Sequence, residues 1–332
     1  ADHFNWLNRF AERLPMAQTK ESKNKPADQR GLAGQVIGDT SVCAVNQTQL
    51  MYRGYEIADL AANATFEEVA YLLFNGEKPT CDELAAFKTQ LVSMRAIPES
   101  VKDEIIRIAH QSPDAHPMAV LRTAVSLLSH QCPVCEDNSA EADMQKSMYL
   151  LAQIPTCIGV HQMALDGKEP VDPDPNLDHA ANLLWCMSGE KPHESAAKVM
   201  DVSLILYAEH DFNASTFTCR VIASTNGDLH SCVCGGIGAL KGNLHGGANE
   251  AAMELIERFK TPDEAEVELK KMLANKDKIM GFGHRVYTTC DPRSDIIKKW
   301  SFKLGEAKGD LLLYNISERI EEVMWNEKKL FS

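Results

Sequence analysis

The sequence predicts an all-α protein. Three observations carry this: helix-start signatures recur along the chain, strand signals are confined to residues 41–52, and no βαβ alternation is present. Thr65-Phe-Glu-Glu68 has the spacing of a capping box, with Phe66, Val69, Ala70 and Leu73 following at helical period and Asn75-Gly76 supplying a stop. Thr80-Cys-Asp-Glu83 opens a second helix that puts Leu84, Phe87 and Leu91 on one face, with Pro98 beyond its end. A further segment runs from Ser100 through Ile105, Ile106 and Ala109. Pro117 suits the first turn of the next helix, which carries Val120, Leu121, Ala124, Val125 and Leu128. Thr261-Pro-Asp-Glu264 joins an N-cap, a first-turn proline and a capping glutamate. The strand-like stretch reads as one small hairpin around Asn46-Gln47. Residues 130–145 and 166–178 are polar and read as surface loops, and residues 1–30 as a polar extension.

Composition narrows the classes of function. In 332 residues, 44% are apolar, enough for a sizeable core, and the net charge is -13. A nucleic-acid or anionic-membrane partner ordinarily needs a basic face, so neither is expected. No apolar run approaches the roughly 20 residues of a membrane span. Ten cysteines at irregular spacing, several in apolar company (Cys157, Cys186, Cys219), read as reduced core residues of an intracellular protein. Cys132-Pro-Val-Cys135 is a lone CxxC pair. Zinc would need a second ligand pair at recognisable spacing, and none stands in the sequence, so no metal is expected.

The residues that carry chemistry sit in two glycine-rich stretches. Gly235 to Glu250 fits neither GxGxxG nor GxxxxGK[ST] and follows no strand, which argues against a nucleotide fingerprint. It places His245 in a glycine-rich turn just before an amphipathic helix through Met253, Leu255, Ile256 and Phe259. The positive end of the helix dipole disfavours protonation there. A neutral imidazole can then donate a hydrogen bond to a carbonyl oxygen on which negative charge develops. The second stretch, Gly281 to Arg293, puts His284 after another glycine-flanked turn. Asp291-Pro292 reads as an N-cap and first-turn proline, so Arg293 is expected in the opening turn of a helix, where a guanidinium suits a carboxylate. Each histidine alone also fits a hydrogen-bonded structural role; the pairing of both with the arginine favours a site.

These stretches, His245-Gly-Gly-Ala-Asn-Glu250 and Gly281-Phe-Gly-His284 with Asp291-Pro-Arg293, resemble the paired signatures of the citrate synthase family. Tyr52-Arg-Gly-Tyr55, Phe66-Glu-Glu-Val-Ala70, Leu72-Leu-Phe-Asn-Gly76 and Ala208 to Thr216 extend the likeness over residues 31–332. The resemblance implies a large helical domain at 31–246 and a smaller, mobile helical domain at 247–332, which closes over substrate. It implies a homodimer, cytoplasmic or in a mitochondrial matrix, that joins an acyl-CoA to oxaloacetate without a cofactor, the CoA thioester being a substrate. His245 and His284 would be catalytic, His210 and Arg293 would hold oxaloacetate, and Gly281, Phe282, Gly283 and Arg285 would line the CoA pocket. Residues 205–250 and 310–331 are more similar to the methylcitrate branch, which uses propionyl-CoA, than to the citrate branch. The resemblance also implies a catalytic aspartate in a Pro-Asn-x-Asp segment. No such segment occurs between His284 and Ser332, and it is expected beyond that residue. Two other readings compete: a ligand-binding relative without turnover, and a metal-binding protein suggested by eleven histidines and ten cysteines.

Overall fold

A small antiparallel sheet precedes the helices. The computed structural model describes residues 37–283, 287 and 290–331. Strands β1 (Cys43–Val45) and β2 (Leu50–Tyr52) form the expected hairpin, in the register Cys43↔Tyr52 and Val45↔Leu50. Asn46 holds its turn: its side-chain oxygen accepts from the backbone of Thr48 and Gln49 at 3.0 and 2.8 Å. A third strand, β3 (Tyr55–Glu56), was not expected. It follows Arg53-Gly54, whose φ values of 50° and 88° make the tight left-handed turn that matches strand twist.

Fourteen helices follow among the described residues. The first five are α1 (Ile57–Asn63), α2 (Phe66–Asn75), α3 (Cys81–Ser93), α4 (Glu99–Gln111) and α5 (Pro117–Ser129). Both expected capping boxes form, Thr65 with Glu68 and Thr80 with Glu83, and Gly76 ends α2 at a φ of 90°. Then come α6 (Ala140–Leu165), α7 (His179–Ser188), α8 (Glu194–Tyr207), α9 (Ala214–Ala223) and α10 (Leu229–Leu240). The chain continues through α11 (Gly247–Glu257), α12 (Pro262–Ala274), α13 (Ser294–Lys308) and α14 (Leu312–Lys328). Residues 166–178 are the expected loop. The loop expected over 130–145 ends sooner, because Ser139 caps α6 by accepting from Ala142 at 3.3 Å. The acidic residues Glu141 and Asp143 then lie in the first turn of α6, where the helix dipole favours them.

Three apolar cores hold these elements. The first joins the sheet and α1–α3 to α6 and α8, through Leu50, Tyr52, Leu60, Leu72, Val202 and Ile205. The second lies between α4, α5, α6 and α10, and the third between α11, α12 and α14, around Leu269, Ile316 and Ile320. A fully buried side chain of this size contributes about 1.5–3 kcal/mol. Helix α13 bridges outward, since its Ile296, Ile297 and Trp300 pack on the first core. All ten cysteines are free.

Candidate active site

His245 sits where the turn after α10 enters α11. Its backbone N–H donates to Gly242 at 2.9 Å, and Gly246 occupies the N-cap position. Its Nε2 meets the start of α9, where the Ser215 backbone N–H donates to it at 3.3 Å. A backbone N–H can only donate, so this contact makes Nε2 the unprotonated nitrogen and leaves the ring proton on Nδ1. The Ser215 hydroxyl lies 2.9 Å from Nε2 and 2.7 Å from Asn213 Oδ1, two acceptors for its one proton. This contact fits the expected neutral imidazole, and burial acts in the same direction, holding the pKa of His245 below the ordinary histidine range.

The rest of the motif around His245 has mechanical work. Asn249 donates to the Tyr207 hydroxyl at 3.1 Å, tying α11 to the end of α8. Glu250 reaches His116, the N-cap of α5, at 3.2 Å.

His210 lies in the turn between α8 and α9, beside Asp211, whose φ is 57°. Its Nε2 is 3.0 Å from the Tyr287 hydroxyl, and the two rings meet edge to face with centroids 5.5 Å apart. Tyr287 is 1% exposed, and burial pushes its phenol up to about 12, so it stays protonated. The turn is also anchored from behind. The Tyr52 hydroxyl lies 3.1 and 3.2 Å from the carbonyls of Ile205 and Leu206, and the Glu209 N–H donates to it at 3.3 Å.

Arg293 occupies the N-cap position of α13, one residue before the opening turn in which it was expected. The reason is local. Asp291 Oδ1 accepts the Arg293 backbone N–H at 2.9 Å, forming a turn ahead of the helix. The Arg293 guanidinium grips the same carboxylate through Nε at 3.0 Å and Nη2 at 2.7 Å. Burial acts to lower its pKa, but the Asp291 carboxylate overrides it and the pKa is raised. Gly281 and Gly283 have φ values of 91° and 79°, which favour glycine. Phe282 packs on the third core, and the Gly283 N–H donates to the Phe331 carbonyl at 3.3 Å. His284 and Arg285 lie outside the described residues. A cavity of about 340 Å³ opens elsewhere, between Glu67, Lys88, Arg95 and Asp178.

The structure thus brings His245 onto α9 and His210 onto the segment that leads to Arg293. Ser215 and Tyr287, which contact these histidines, and Tyr52, which holds the turn carrying His210, were given no site role from sequence. Their contacts span 30, 77 and 157 residues and leave no local pattern.

Comparison with known proteins agrees with this frame. Residues 31–332 match the family model described as "Citrate synthase, C-terminal domain". The 2-methylcitrate synthase of Shewanella oneidensis is 49% identical over 305 residues, which is 91% of this chain and 80% of that protein. The crystal structure of citrate synthase from Pyrobaculum aerophilum superposes with a TM-score of 0.82 at 33% identity, covering 96% of this chain and 84% of that one. A ternary complex of carboxymethyl coenzyme A and oxaloacetate with the Thermoplasma acidophilum citrate synthase gives 0.84 at 28% identity, with coverage of 91% and 81%. The chain belongs to the citrate synthase family, whose members condense an acyl-CoA with oxaloacetate. Its all-α fold is the one this family uses.

Proposed function

We propose that this protein is a 2-methylcitrate synthase, condensing propionyl-CoA and oxaloacetate with water to give 2-methylcitrate and free CoA. One observation carries the chemistry: the Ser215 N–H facing Nε2 of His245 keeps the ring neutral with its proton on Nδ1. That proton can hydrogen-bond a thioester oxygen as it becomes an enol oxygen. A carboxylate base removes the α-proton, and the enol carbon attacks the ketone of oxaloacetate. His284 donates a proton to the new alkoxide, and water cleaves the thioester. His210 and Arg293 hold oxaloacetate, while Gly281, Phe282, Gly283 and Arg285 line the CoA pocket. Residues 247–332 form the smaller domain that closes over the substrates. The base expected of this family, an aspartate in a Pro-Asn-x-Asp segment downstream of the second histidine, does not occur between His284 and Ser332.

The choice of propionyl-CoA is supported by the 49% identity to the Shewanella protein. A citrate synthase using acetyl-CoA is the second reading, supported by the likeness to the Pyrobaculum structure. One methylene in an apolar pocket is worth about 10–200-fold, so both acyl-CoAs should react at different rates. We also read the protein as a cytoplasmic homodimer. Leu244, 83% exposed beside His245, is an apolar surface that a second copy would cover. No helix among the described residues is long and apolar enough to cross a membrane.

The test follows thiol release by the full-length protein with oxaloacetate and either acyl-CoA. A higher kcat/KM with acetyl-CoA would replace the first reading by the second, and no release with either would sink both. His245→Ala should lower kcat by about 10²–10³-fold. Oxaloacetate binding should stay nearly unchanged, and normal turnover would remove His245 from the mechanism.

A further inference from the structure

The CxxC pair lacked a second ligand pair in sequence; the fold supplies one. Cys135 lies in the connection from α5 to α6, and Asp228 and His230 begin α10, more than ninety residues away. Cys135 Sγ is 3.8 Å from Asp228 Oδ1 and 4.0 Å from His230 Nδ1, and those two atoms are 4.0 Å apart. The triangle is held from outside. Asp228 Oδ1 also accepts the Ser231 N–H at 2.9 Å, as the N-cap of α10. Lys146, fully buried, reaches the carbonyls of Cys135 and Asp137 at 3.2 and 2.6 Å and fixes the loop that carries the thiol.

We propose that Cys135, Asp228 and His230 form a binding site for a borderline-soft divalent cation of the zinc class. Spacing decides between this and a plain hydrogen-bonded cluster. A separation of 4.0 Å is too long for a hydrogen bond between imidazole and carboxylate, and both sulfur contacts are near the limit of reach. Ligand bonds of about 2.0–2.3 Å around a tetrahedral cation put neighbouring ligand atoms about 3.3–3.6 Å apart. A contraction of roughly half an ångström closes the triangle onto an ion. The donors suit the cation. His230 is 2% exposed, and its Nδ1 is the atom that faces the other two donors. Asp228 presents the same Oδ1 to both neighbours, and Ser231 fixes its orientation. Binding displaces the Cys135 proton to solvent. Thiolate and carboxylate then neutralise the two positive charges, so Lys146, itself paired with Asp143 at 2.9 Å, faces no net charge. The ion would clip the α5–α6 connection to the start of α10, the helix that leads to His245, with water in the fourth position.

The experiment uses the full-length protein, assayed for metal by elemental analysis and loaded with cobalt(II) as a spectroscopic probe. About one zinc equivalent per chain is expected, with a sulfur-to-cobalt charge-transfer band in the cobalt form. Both should vanish in Cys135→Ser and in His230→Gln and persist in Cys81→Ser, an exposed thiol elsewhere. Should His230→Gln fail to fold, Cys135→Ser alone carries the test, with folding checked by circular dichroism. Substoichiometric zinc that added metal does not raise overturns the proposal. So does a cobalt band that survives in Cys135→Ser. Neither result bears on thiol release from the acyl-CoAs, so the site and the proposed activity stand or fall separately.

Discussion

His179 makes folding stability depend on pH in a way that its replacement should remove. It starts α7, is 4% exposed, and packs its ring on Phe66 at 5.0 Å. Burial first, and then the charge of Arg95, bring its pKa from 6.5 down to about 4. The unfolded chain takes up a proton that the folded chain refuses, so stability is complete above pH 6.5 and falls as pH drops towards 4. The full span is worth about 3 kcal/mol at about 1.4 kcal/mol per pH unit. Between pH 7 and pH 5 about 2 kcal/mol of it is lost. Glu67 lies alongside, accepting the His179 N–H at 2.8 Å, and burial raises its pKa. Its contribution has the opposite sign, present at low pH and lost as pH rises, so the wild-type slope alone is ambiguous. The informative quantity is the difference between wild type and His179→Gln in urea unfolding at pH 7 and pH 5. The variant should lose about 2 kcal/mol less than wild type on acidification. Equal losses would refute the assignment of a buried, neutral His179.

Two further substitutions probe packing and the His210 contact. Gly159 lies where α6 crosses α7, and an added Cβ would come 2.5 Å from the Cys186 carbonyl carbon and oxygen. Alanine gains about 1 kcal/mol of helix propensity, but a clash against backbone costs about 1–3 kcal/mol. Gly159→Ala should therefore lower the Tm, and an unchanged or higher Tm would mean that the two helices separate freely. Tyr287→Phe removes the hydroxyl that holds His210, a hydrogen bond worth about 1 kcal/mol. If His210 grips oxaloacetate, KM for oxaloacetate should rise about fivefold with kcat nearly unchanged; an unaltered KM would separate Tyr287 from the site.

Local chemistry was legible where it is written in neighbouring residues. Thr65, Glu68, Thr80 and Glu83 announce their caps within four positions, and Asn75-Gly76 announces a stop. The start of α6 was missed because the acidic residues after Ser139 read as loop, although acidic residues also favour a helix N-terminus. Strand β3 was missed because two residues carry no periodicity. At the site, His245, His210 and Arg293 stood out through their glycine and proline neighbours, but the groups that orient them did not. Ser215 reaches His245 through a backbone N–H, which every residue except proline possesses. Asp291, two residues earlier, grips the Arg293 guanidinium, a contact the sequence reading did not name. The Cys135 triangle was illegible for the same reason: its second pair arrives through tertiary contact alone.

The anchoring of the His210 turn by Tyr52 also sets an order of events during synthesis. The hydroxyl and the Glu209 N–H that it receives are 157 residues apart. At about 5–20 residues per second, the hairpin is synthesised about 8–30 s before its partner. Through that interval Tyr52 and Leu50, both wholly buried in the finished protein, have no α8 to cover them. The strand that later steadies the His210 turn is thus, for those seconds, an uncovered sticky surface on a nascent chain, and chaperone dependence should be greatest before residue 209 is translated.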